Sequence, residues 1–111
     1  MFRRTLMTLA LLSMLLLAAC AKPVPAAKQA YVGEWHSDSV SLLITQEGRV
    51  VYKRVKGATS TSIDAPIKAF EGDNLVVGVG PLKTTFVVSV APHEEVGNWK
   101  MTVDGETLVR R

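Results

Sequence analysis

The sequence predicts an all-β domain, a seven- or eight-stranded antiparallel meander that closes as a small barrel or a sandwich, behind an N-terminal signal peptide. Three observations predict it. From Tyr31 onward apolar residues recur with a period of two. Turn residues interrupt that alternation at regular intervals. No segment after residue 30 carries a sustained helical repeat.

Gly33-Glu34-Trp35 opens the first strand, and Ser39 to Thr45 is the second. Glu47-Gly48 is a short turn, and Arg49 to Lys56 is the third strand, so the pair reads as a hairpin. After Gly57 and a Ser/Thr-rich stretch, Ile63 to Phe70 alternates through Ile63, Ala65, Ile67 and Ala69. Pro66 lies inside that run and marks an edge strand or a bulge. Glu71-Gly72-Asp73-Asn74 is a turn, and Leu75 to Val79 is a strand broken by Gly78-Val79-Gly80-Pro81. Thr84 to Ala91 places Phe86, Val88 and Val90 on one face, and Pro92 is expected to stop it. Trp99, Met101 and Val103 then share a face. Asp104-Gly105 is a two-residue hairpin turn, and Glu106 to Arg110 returns. Closure has a physical motive, because an open meander leaves two unpaired edges.

The 111 residues fit one domain. The expected organisation is a lipoprotein signal peptide over 1–19, a modified Cys20 with a flexible tether over 20–30, and the small all-β domain over 31–111. Of the 13 Lys and Arg, Arg3 and Arg4 leave with the signal, so 11 face 10 Asp and Glu. That balance does not demand a nucleic-acid partner. Cys20 is the one cysteine, so no disulfide can staple the domain.

Met1 to Arg4 is a short positive start, and Leu6 to Ala19 is apolar except for Thr8 and Ser13. The run is shorter than the about 20 residues that span a hydrocarbon core. A charged start before a short apolar run is a secretory signal. Leu17-Ala18-Ala19-Cys20 at its end resembles the lipobox of bacterial lipoproteins. The resemblance implies diacylation of the Cys20 thiol and cleavage before Cys20 by signal peptidase II, recognised through Leu17, Ala18 and Ala19. It also implies a membrane partner, held through the N-terminal lipid. Ala21 stands where Asp would mark inner-membrane retention, so the outer membrane facing the periplasm is expected. Lys22-Pro23-Val24-Pro25-Ala26-Ala27-Lys28 reads as the body of a tether over Ala21 to Ala30, whose ten residues reach at most about 31 Å.

Gly33-x-Trp35 on the first strand resembles the opening of lipocalin-like barrels. That resemblance implies that Trp35 closes one barrel end, packed on Arg110 or Arg111 by cation–π stacking.

Candidate chemistry is sparse. His36 follows Trp35, so with Trp35 in the core His36 faces solvent. His93-Glu94-Glu95 offers possible metal ligands in a loop after Pro92, but adjacent loop residues rarely converge on an ion. Ser37, Ser39, Ser41, Ser60, Ser62 and Ser89 sit in no nucleophile motif. Asp38 with Glu34, and Asp104 with Glu106, fall at turns as solvated charges. Gly78-x-Gly80-Pro81 lacks the helix and lysine of a phosphate loop. In Lys53-Arg54-x-Lys56, Tyr52, Arg54 and Lys56 share one strand face, and Lys53 shares the other with Val51 and Val55. This cluster reads as a solvated strand or as a contact for anionic headgroups.

The expectation is a lipid-anchored envelope protein with a non-catalytic binding or structural role, no catalytic residues, no metal and no cofactor. Its partner would be an envelope protein or polymer. The alternatives are an inhibitor or accessory factor of a periplasmic enzyme, and a lipocalin-like carrier of a small apolar ligand.

Overall fold

The computed structural model describes residues 22–111. The signal peptide, Leu17, Ala18, Ala19 and Cys20 lie outside the described residues. Period-two alternation becomes nine antiparallel strands: β1 (Gly33–His36), β2 (Val40–Ile44), β3 (Arg49–Lys56), β4 (Thr59–Glu71), β5 (Asn74–Val79), β6 (Leu82–Phe86), β7 (Val88–Glu95), β8 (Asn98–Val103) and β9 (Glu106–Arg110). They form one sheet in the order β6-β5-β4-β3-β2-β1-β9-β8-β7. The sheet curls into a half-barrel. Its concave side carries the fully buried Trp35, Leu42, Ile44, Val50, Leu75, Val77, Phe86, Met101 and Leu108. Each large apolar side chain buried in this way contributes roughly 1.5–3 kcal/mol.

The strand count exceeds the expected seven or eight because Thr84 to Ala91 divides at Val87. There the chain leaves the ladder and is gripped by the Asp104-Gly105 turn. The Val87 N–H donates to Asp104 Oδ1 at 2.9 Å. The Asp104 N–H donates to the Val87 carbonyl at 2.8 Å. Asn74 Oδ1 accepts the next N–H, from Val88, at 2.9 Å. Phe86 and Val88 point into the core as expected, but Val90 is 44% exposed. Register shifts on either side of Val90 break the alternation. Pro92 does not stop β7, which runs on to Glu95. β7 is an edge strand, where a residue without an N–H is tolerated.

Pro66 marks a bulge and not an edge. β4 is interior, pairing with β3 through Thr59–Pro66 and with β5 through Ile67–Glu71. The register shifts between Ile67 and Ala69, so Lys68 is the extra residue. The shift flips the pattern: Ala69 is exposed and Phe70 packs against the core. The β8–β9 turn is as expected, with positive φ at Asp104 (48°) and Gly105 (81°).

Residues 22–30, expected within a tether, instead lie against the domain. Val24 is 4% exposed, and its N–H donates to the Gln46 carbonyl at 3.0 Å. Gln29 Nε2 and Gln46 Nε2 both donate to the Val24 carbonyl, at 2.8 and 3.2 Å. A 3-10 helix over Ala26–Tyr31 delivers Tyr31 into the core, edge-on to Phe70 at 5.3 Å. Lys28 Nζ donates to the Gly72 carbonyl at 2.8 Å. Gly48 makes the docking possible. Its φ is +95°, and a Cβ there would lie 1.9 Å from the Lys22 carbonyl oxygen. Gly48→Ala should therefore displace the Lys22–Pro25 segment and cost about 1–3 kcal/mol. Urea unfolding measures the loss, and faster tryptic cleavage after Lys28 reports the displacement.

Candidate functional site

The Gly33-x-Trp35 tripeptide and Arg110 meet where β1 pairs with β9. β1 pairs with β9 so that Trp35 stands opposite Arg110 and His36 opposite Val109. Trp35 is fully buried, and its Nε1 donates to the Tyr31 carbonyl at 2.9 Å. The Arg110 guanidinium carbon lies 5.7 Å from the Trp35 ring centre and 4.8 Å from that of Trp99. The cation is thus held between two indoles, where partial desolvation strengthens the attraction. Arg110 Nη1 also donates to the Ala30 carbonyl at 3.4 Å. Gly33, at φ +141°, leaves room for the arginine stem, since a Cβ there would approach Arg110 Cδ to 2.8 Å. Arg111 makes no such contact; its N–H donates to the Glu34 carbonyl at 2.9 Å. Trp99 as the second ring escaped the sequence reading, because the register that brings β8 to β9 is not visible in the spacing.

Tyr31 supports the same cluster. Its hydroxyl donates to the Asp73 carbonyl at 2.9 Å. Burial, reinforced by the Asp73 charge, pushes the phenol up to about 12.

The remaining candidates do not converge. His36 is half-buried, not solvent-exposed, because β1 is a central strand flanked by Ser41 of β2 and Val109 of β9. Its Nε2 is buried without a hydrogen bond, 3.9 Å from Glu34 Oε2. His93 lies on β7 and not in a loop. Its Nδ1 is 3.0 Å from the Ala91 carbonyl and its Nε2 is 3.3 Å from Glu95 Oε2. Both contacts favour the imidazolium, the Ala91 carbonyl most, and raise its pKa above 6.5. Among the described residues, no three His, Cys, Asp or Glu are grouped so as to hold a metal ion.

Ser37 and Ser39 serve the β1–β2 turn. Ser37 Oγ donates to Glu106 Oε2 at 3.0 Å and accepts the Val40 N–H at 3.1 Å. Ser39 Oγ lies 3.5 Å from Glu106 Oε1. Glu106 therefore holds that turn while Asp104 holds Val87, so these two carboxylates have separate partners. Gly78 is a hairpin residue, where a Cβ would fall 2.0 Å from the Leu82 carbonyl oxygen.

Two open clefts are lined by cations. On β3 the two faces divide as the alternation implies: Tyr52 is buried, Arg54 half-buried and Lys56 exposed, whereas Val51, Lys53 and Val55 are exposed on the other side. Arg54, Lys56, Thr59 and Thr61 line a cleft of about 360 Å³. A larger one, about 530 Å³, lies between Lys22, Arg49, Pro66, Lys68, Val79 and Gly80. Arg49 Nε is paired to Asp64 Oδ1 at 2.7 Å. Lys68 Nζ donates to the Gly80 carbonyl and ties the β5–β6 turn to the bulge. Four separated segments build this second cleft, so no local motif announced it.

No protein family, no curated protein and no solved structure matches the chain.

Arg110→Ala should cost about 2 kcal/mol, through loss of a partly desolvated cation between two rings. Denaturant unfolding followed by tryptophan fluorescence measures it. Tyr31 should titrate near 12 in a 295 nm absorbance titration. Its folded pKa is raised above the model-peptide 10.0, so its contribution to stability is complete below pH 10 and is lost as pH rises to 12. Alkaline unfolding of Tyr31→Phe, which lacks the phenol proton, should show a smaller loss over that window.

Proposed function

We propose that the chain is a bacterial lipoprotein precursor, cut before Cys20 and held in the membrane by lipid on that cysteine. The observation that carries this reading is Leu17-Ala18-Ala19-Cys20 closing an apolar run that follows Arg3 and Arg4. Ala21 favours the outer membrane, with the domain facing the periplasm. Each buried acyl CH₂ contributes about 0.8 kcal/mol, so a diacylated cysteine is a firm anchor without a spanning helix.

The domain acts by binding or structural support and not by catalysis. Of its candidate nucleophiles and carboxylates, Ser37, Glu106 and Asp104 are occupied in turns. Its partner is an envelope protein or polymer met on the surface, with no cofactor and no nucleic acid. The Gly33–Trp35–Arg110 arrangement supports a lipocalin-like architecture in which this group closes one barrel end. The interior argues against carriage of an apolar ligand, because Trp35, Phe86, Met101 and Leu108 occupy it. Cys20→Ser should move the protein from the membrane fraction to the soluble periplasmic fraction. Intact mass spectrometry of the wild type should show an N-terminal acylated cysteine. A wild-type protein that is soluble and carries no acyl chain would sink this reading.

A further inference from the structure

Lys22 is the first described residue, and its position is fixed. Its carbonyl packs on Gly48, and the next turn of chain is pinned by Val24 and Gln46. Cys20 precedes Lys22 by two residues in the sequence, a length of chain that spans at most about 7 Å. The surface around Lys22 therefore adjoins the point where lipid would be attached. This surface has an unusual composition. Lys22, Pro66, Lys68, Val79 and Gly80 line one cleft. Val79, Leu82 and Lys83 line a second, of about 310 Å³, which shares Gly78 and Val79 with the first. The two clefts thus join around the tip of the β5–β6 hairpin. At that tip Val79 is 66% and Leu82 78% exposed. Exposed apolar side chains ringed by lysines suit an interface where hydrocarbon meets anionic groups. Arg49 is neutralised by Asp64, which leaves Lys22, Lys68 and Lys83 as the cations of this face.

Resting on the lipoprotein reading, we infer that this face docks on the acidic phospholipid headgroups of the leaflet that holds the Cys20 anchor. The occupant follows from the length of chain and from charge. The chain between Cys20 and Lys22 spans less than one Debye length at physiological salt, about 8 Å, so attraction to headgroups around the anchor is only partly screened. Val79 and Leu82 enter the headgroup layer, while Lys22, Lys68 and Lys83 meet phosphates around them. The anchor then fixes both the distance and the orientation of the domain. The sheet face with Arg54 and Lys56 lines a separate cleft and remains open to a partner.

The test uses the full-length, processed protein reconstituted in phosphatidylcholine vesicles with and without phosphatidylglycerol. Lysine acetylation is read by mass spectrometry, with Lys100 of β8 as the reference outside both clefts. Acetylation of Lys22, Lys68 and Lys83 relative to Lys100 should fall about fivefold on the phosphatidylglycerol vesicles, and high salt should restore it. Equal reactivity on both vesicles, with the acyl chains present at Cys20, overturns the docking and leaves the anchor standing. A processed chain without acyl groups at Cys20 overturns the anchor and the docking together.

Discussion

The sheet is held together across a short seam. Six strands run in sequence from β1 to β6, three more run from β7 to β9, and the ladders of the two runs join only where β1 lies beside β9, with the Val88–Asn74 hydrogen bond as a side-chain tie between β7 and β5. That junction consists of the pairs Trp35 with Arg110 and His36 with Val109. Backbone pairing over so short a length is a weak join. Side chains make up the difference. The Arg110 guanidinium lies between Trp35 of β1 and Trp99 of β8, so one cation spans three strands across the join. Gly33 clears the path for the arginine stem, and the Tyr31 carbonyl satisfies the buried indole N–H. The 3-10 helix, the first strand and the last strand therefore depend on one cluster. No disulfide in the domain can substitute for it, since Cys20 is the only cysteine.

Much of the fold was legible because alternation and turn chemistry act locally. The hairpin at Asp104-Gly105, the core face of Trp99, Met101 and Val103, and the division of β3 into two faces all follow from nearest neighbours. The failures occur where a distant contact overrides the local pattern. Val87 looks like one more strand residue, but Asp104 extracts it from the ladder. Lys68 is unremarkable in sequence, yet the bulge there exchanges the roles of Ala69 and Phe70. Val96-Gly97 carries the β7–β8 turn with Val96 at φ 51°, a conformation that β-branched residues rarely adopt. No composition rule anticipates that turn.

The candidate site was half legible. Gly33, Trp35 and Arg110 could be named from a tripeptide and a terminal arginine, and the structure brings those three together. Trp99 completes the group by register alone. The N-terminal segment was the least legible part. Pro and Ala signal an extended linker, and Val24 is a single apolar residue without periodic companions. Its burial depends on Gly48 and Gln46, which sit in a turn more than twenty positions away.

That docking changes how load enters the domain. Tension applied through the N-terminal segment reaches the fold at the β2–β3 turn, through the Val24–Gln46 hydrogen bonds and the Lys22–Gly48 contact. It does not arrive first at β1, whose short pairing with β9 would peel apart strand by strand. The clamp acts as a strain relief: while it holds, the weakest seam of the sheet is mechanically isolated from a pull on the N-terminal segment.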